Sequence, residues 1–214
     1  VRTVGVIEEL PDLGLVKYAK PVGVVAAVVP STNPSATAVN KAMMAVKGKN
    51  AVIVSPSPVA LTTSSRTVEL MRAGLDKVGA PVDLIQVVSE PVTKSMTGML
   101  MEYCDLAVVT GSQNNVRAAY RSGTPAIGVG AGNVPVIIDE TADLDAAAEK
   151  ICASKTFDNA TSCSAENSLI ILDEVYDDAI QALKTVGGYL ANADEKNLIA
   201  KTHWVDGRIN RRVL

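Results

Sequence analysis

From Pro21 onward, hydrophobic and polar positions follow a repeating rhythm. Seven consecutive residues, Gly23 to Val29, are apolar and stop at Pro30, the length and composition of a strand covered on both faces. A stretch with apolar positions at helical spacing follows from Ala36 to Val46 and ends at Gly48, where a helix C-terminus favours a residue tolerant of left-handed geometry. The unit then recurs. Strands are expected at Ala51–Ser55, Leu84–Val88, Leu106–Thr110 and Ala126–Val129, and helices at Pro58–Val78, from near Val92 to Tyr103, and from near Asn114 to Arg121. Ahead of this rhythm, residues 4–9 and 14–18 read as short strands joined by the turn Pro11-Asp12-Leu13-Gly14, a hairpin or edge arm. Behind it come a strand at Val136–Asp139, a helix opened by Asp143-Leu144-Asp145 and running toward Phe157, a strand at Ser168–Leu172 and a helix from near Val175 to Leu190. Asn192 to Leu214 is polar and uneven, with no more than a turn or two of helix expected around Asp194 to Lys201.

Continuous apolar strands alternating with helices predict an α/β protein with a doubly wound, parallel, Rossmann-like sheet, followed by the beginning of a second α/β domain. The rhythm divides the chain into an edge arm (1–20), a main domain (21–140) and an incomplete second domain (141–214). Ligands of such sheets bind at the carboxyl ends of the strands, so the informative loops follow Val29, Val54, Val88, Val109 and Val129.

Composition narrows the partners. A formal charge of −3 and an aromatic content of 3% argue against a nucleic-acid surface, and Arg208, Arg211 and Arg212 read as a solvated helix face. No apolar run is long enough to span a bilayer. Three cysteines at irregular spacing match neither a disulfide framework nor a zinc site, and a reducing cytoplasm is the natural home. The chain opens on Val1 rather than methionine and closes at Leu214 inside what reads as a starting helix, the pattern of a piece of a longer protein.

Candidate chemistry centres on Cys163, flanked by Ser162, Ser164 and Ala165 in a loop whose small neighbours leave the sulfur reachable. Thiolates are the most nucleophilic side chains near neutral pH, which makes Cys163 the first candidate nucleophile. Asn33, fixed between prolines in Pro30-Ser31-Thr32-Asn33-Pro34, is either a helix cap or an amide donor to a bound oxygen. Ser55 and Ser57 follow the second strand of the rhythm, and no Asp or Glu between Ala51 and Thr67 would repel a ribose 2′-phosphate. Thr110-Gly111-Ser112 opens a helix and is either a plain helix start or an anion-facing turn. Gly128, Gly130 and Gly132 allow a close backbone approach, although no G-x-G-x-x-G fingerprint is present. His203 reads as structural, and neither paired carboxylates nor metal-ligand spacing occurs.

Taken in order, Pro-Ser-Thr-Asn-Pro (30–34), Lys-Gly-Lys-Asn-Ala-Val-Ile-Val-Ser-Pro (47–56), Val-Thr-Gly-Ser (109–112), Gly-Val-Gly-Ala-Gly-Asn-Val-Pro (128–135) and Lys-Thr-Phe-Asp-Asn…Cys163 (155–163) closely resemble the CoA-acylating aldehyde dehydrogenases. The resemblance implies a dinucleotide-binding first domain and a catalytic second one. Cys163 would attack an aldehyde, and Asn33 with the Cys163 backbone amide would hold the oxyanion. NAD or NADP would accept the hydride, and CoA would take the acyl group from a cysteine thioester. Ser55, Ser57, Thr110, Gly111 and Ser112 would lie along the dinucleotide, with Gly128 and Gly130 beside the nicotinamide. Hydrolytic relatives carry a water-activating glutamate whose counterpart here reads as Gly128, and several relatives have histidine at Ser57. The family chain extends beyond both ends, including a later glutamate that seats the nicotinamide ribose, and a homo-oligomer is implied. The other readings are a hydrolytic aldehyde dehydrogenase releasing a free acid, a non-catalytic nucleotide-binding module, and a purely structural partner domain.

Overall fold

In a computed structural model, residues 2–130 and 132–210 are described. The chain divides into two units, residues 1–132 and 133–214. In the first, β1 (Gly5–Leu10) and β2 (Leu15–Ala19) form an antiparallel hairpin around a 3-10 turn at Pro11–Leu13, closed by Gly14 at φ +62°. There follow β3 (Val24–Val29), α1 (Pro34–Lys47), β4 (Ala51–Pro56), α2 (Leu61–Lys77), β5 (Ile85–Val87), α3 (Lys94–Tyr103), β6 (Leu106–Thr110), α4 (Gln113–Arg121) and β7 (Ala126–Val129). The last five strands make one parallel sheet in the order β5-β4-β3-β6-β7.

Strand alternation explains why these runs are apolar throughout. Val25, Ala27 and Val29 face one side of the sheet and pack with Val52, Val54 and the α1 residues Ala38, Ala42 and Ala45. Ala26 and Val28 face the other side, with Ala107, Val109, Met101 of α3 and Val116 of α4. Helices on both faces make the sheet doubly wound, as expected.

The end of α1 differs in detail from the sequence expectation. Gly48 has φ −81°, and the left-handed residue is Lys49 at φ +59°. Here glycine provides clearance, because a Cβ on Gly48 would stand 2.8 Å from Asn50 Nδ2, which donates to the Ala45 and Gly48 carbonyls.

In the second unit, β8 (Pro135–Ile138) pairs in parallel with β9 (Ser168–Ile171), with α5 (Leu144–Thr156) between them in sequence and α6 (Tyr176–Thr185) packed on α5. The strand grouped with the main domain in the sequence reading is thus bonded to β9. Helix α6 stops five residues before Leu190, because Gly187 turns at φ +97° and Gly188 N–H donates to the Leu183 carbonyl at 2.8 Å. The tail holds more structure than the turn or two expected. Asn192 and Glu195 form a reciprocal capping box that starts α7 (Ala193–His203), and β10 (Trp204–Val205) pairs with β11 (Arg208–Ile209). Arg208 therefore lies on a strand rather than a helix face, while Arg211, Arg212 and Leu214 fall outside the described residues. Among the described residues, no helix is long and apolar enough to cross a membrane.

Candidate active site

In this strand order the chain leaves β3 toward β4 on one side and later returns to β6 on the other, so the carboxyl ends of β3 and β6 open a crevice between diverging connections. One wall is the 30–34 loop. Asn33 is the exposed N-cap of α1, yet its side chain makes no capping hydrogen bond; only its backbone carbonyl accepts, from Thr37 N–H at 3.3 Å. Of the two sequence readings, the side-chain cap is not formed.

The opposite wall begins at Thr110. Gly111 has φ +150°, and a Cβ there would meet only Asn115 Nδ2 at 4.0 Å, so the backbone is approachable at this turn. The Ser112 hydroxyl is used as a helix cap, accepting from Asn115 N–H at 3.3 Å. Gly130 lies against the start of α4, where a Cβ would stand 2.7 Å from Gln113 Oε1.

Two expected site positions sit differently. Ser55 is 1% exposed and its hydroxyl is hydrogen-bonded to Thr97 of α3 at 2.9 Å, since at this register its side chain leaves β4 on the α3 face. The reachable hydroxyl of that loop is Ser57, which is half-buried and caps nothing with its side chain. Gly128 points toward α4, and a Cβ would stand 2.6 Å from Val116 Cγ1 and 3.2 Å from Tyr120 Cε2. A carboxylate could not emerge from it into the crevice. The neighbouring side chain that leaves on the opposite face is Val129, 55% exposed and equally unable to activate water. Gly128→Ala is expected to cost about 1–3 kcal/mol by crowding α4, measurable as a lower urea midpoint.

Sequence reasoning passed over Lys41. It is 5% exposed on α1, and its Nζ donates to the carbonyls of Val28 in β3 at 2.6 Å and Val108 in β6 at 2.9 Å. Burial lowers its pKa from 10.5 to about 8. Because the unfolded chain binds this proton more tightly, stability should rise as pH increases from about 8 to 10.5. The gain is on the order of 3 kcal/mol. Lys41→Met should lack that slope in urea denaturation across the same window.

In the second unit, Cys163 is the one exposed cysteine of three. Cys104 is buried, donates weakly to the Met101 carbonyl, and has its thiol pKa raised by burial. Cys152 donates to the Val186 carbonyl. The Cys163 loop is reached through three successive left-handed residues, Asp158, Asn159 and Ala160, at φ +50°, +53° and +60°. Asp and Asn tolerate this region, whereas Ala does not, so the turn stores strain on the order of 1–2 kcal/mol at Ala160. Beyond it, Ala165 N–H donates to the Ser162 carbonyl, and the Ser162 and Ser164 hydroxyls are 2.9 Å apart, forming a tight turn around the sulfur. Asn167 anchors the loop by exchanging hydrogen bonds with Val134. Glu166, also missed in the sequence, has its carboxyl held below the usual range by its own backbone N–H and by the Ser154 hydroxyl, and it remains an anion near neutral pH. His203 ends α7 with its Nδ1 3.1 Å from the Ile199 carbonyl.

These units define a class: an α/β protein with a doubly wound sheet of the dinucleotide-binding type and a second βαβ unit presenting an exposed thiol. The aldehyde dehydrogenase family profile matches residues 6–191. The chain is 51% identical over 208 residues to an acylating sulfoacetaldehyde dehydrogenase of Cupriavidus necator, covering 97% of this chain and 42% of that one. An acetylating aldehyde dehydrogenase from Geobacillus thermoglucosidasius superposes with a TM-score of 0.89 at 38% identity, over 100% of this chain and 48% of its own. A propionaldehyde dehydrogenase of Rhodopseudomonas palustris, with bound CoA and an acylated cysteine, superposes with a TM-score of 0.76 at 34% identity, over 86% and 42%. This chain belongs to the aldehyde dehydrogenase family, and the relatives named here are acylating or CoA-binding members of it. It spans less than half the length of these relatives.

Proposed function

We propose that the protein converts an aldehyde and CoA into an acyl-CoA through a thioester on Cys163, and runs the reaction in reverse from the acyl-CoA. The observation carrying this reading is the contrast among the cysteines. Two are engaged within the fold, and Cys163 is exposed on a turn of small residues. Its thiolate adds to the carbonyl carbon, and the Asn33 amide and the Cys163 backbone N–H donate to the oxygen that becomes negative. A bound NAD or NADP supplies the hydride acceptor. The turn at Thr110, Gly111 and Ser112, Ser57 and the glycines at 128 and 130 are the residues to hold it. An open backbone at Gly111 and the absence of a carboxylate after β4 fit either dinucleotide. Cys163 then carries the acyl group until the CoA thiol attacks and the cysteine leaves as thiolate. With glycine at 128 and valine at 129, no carboxylate from this strand activates water, so the thiol is the competent acceptor.

The partition between acceptors tests this. In the intact enzyme, product formation should depend on CoA, and free acid released without CoA should be slower by about a hundredfold or more. Rapid acid release would assign the hydrolytic reaction instead, and dinucleotide binding without turnover would assign a non-catalytic module.

The free cysteines support a reducing cytoplasmic location. The β1–β2 hairpin, with Leu13, Leu15, Val16 and Tyr18 exposed, supports self-association through this arm.

A further inference from the structure

Lys41 lies eight residues after Asn33 on the same helix, and its ammonium group bonds the two strands whose ends form the crevice. Its acceptors stand near the carboxyl ends of β3 and β6, at Val28 and Val108. The buried neighbours on its face of α1 are Ala38, Ala42 and Ala45. Alanines give the helix a smooth underside that fits closely on the sheet but offers little interlocking against sliding. Two charge-assisted hydrogen bonds of fixed direction supply what that face lacks. An aliphatic side chain would fill the site without desolvating an ammonium group, so packing alone does not account for lysine here.

We propose that Lys41 is a positioning residue: by bonding both the Val28 and the Val108 carbonyl it fixes α1, and with it Asn33, relative to the two strands whose ends form the crevice. The inference rests on the acyl-transfer reading for its kinetic consequence, because Asn33 is the donor being positioned.

In the intact enzyme, Lys41→Met is expected to lower kcat for acyl-CoA formation by about tenfold to a hundredfold, since small misplacements of a catalytic group carry losses of that size. The dinucleotide KM should stay within about threefold, and the urea midpoint should not fall, because a buried charge has been removed. Lys41→Arg, which keeps a charged donor, should recover part of kcat, and Lys41→Gln should recover less. Wild-type kcat in Lys41→Met overturns the inference, as does a loss of kcat that follows a falling urea midpoint across the three variants. Should Lys41→Met fail to fold, Lys41→Gln is read in its place. If the wild-type enzyme forms no acyl-CoA, the activity reading falls by itself, and the clamp is read by amide hydrogen exchange over residues 37–41, the first hydrogen-bonded amides of α1. Exchange there should be at least about tenfold faster in the variant, and unchanged exchange overturns the clamp.

Discussion

Replacing Cys163 by serine is expected to lower acyl-CoA formation by about a thousandfold or more, with no thioester detectable on the chain after mixing with aldehyde and dinucleotide. A serine hydroxyl is far less ionised than a thiol and makes an ester that the CoA thiol attacks less readily, so both half-reactions suffer. The control comes from the other cysteines. Cys104 is buried and hydrogen-bonded, and burial raises its thiol pKa, so Cys104→Ser should retain turnover near the wild-type value. Alkylation of the native protein should modify one thiol rapidly, and peptide mapping should place it at residue 163. Acyl-CoA formation by Cys163→Ser at the wild-type rate would remove the nucleophile from the proposal entirely.

The second large effect is at Asn33. Asn33→Ala is expected to lower kcat by about 10²- to 10³-fold, the usual consequence of deleting one donor to a developing oxyanion. Stability should hardly move. An asparagine serving as an N-cap through its side chain loses about 1 kcal/mol on replacement by alanine, but this one makes no capping bond, so a change under about 0.5 kcal/mol is expected. Measuring kcat and the urea midpoint together separates the roles. A stability loss near 1 kcal/mol with kcat intact would return Asn33 to the status of a helix cap.

Lys41 and Asn33 sit on one helix, and the two predictions differ in kind. Removing Asn33 deletes a donor, whereas removing Lys41 leaves every catalytic group present but less firmly placed. A double variant should therefore lose less than the product of the single losses, because a misplaced donor has less to contribute when it is removed.

Several features were determined by residue order alone. Val24–Val29 and Leu106–Val109 are apolar at every position, as strands of a sheet covered on both faces are, and the intervening helices follow from spacing. Cys163 was legible because serines and alanine surround it. The capping pair Asn192 and Glu195 that starts α7 is likewise a local signal carried by the sequence. Other features depend on which face a residue occupies and what lies opposite, information that arises from register between distant segments. Ser55 turns toward Thr97, 42 positions away, and Gly128 turns toward α4, leaving Val129 as the outward neighbour. Lys41 reads in sequence as one more polar residue on an amphipathic helix. Only the docking of α1 on β3 and β4 buries its ammonium group and brings the Val28 and Val108 carbonyls to it, because acceptors 13 and 67 residues away become neighbours through the fold rather than through the chain.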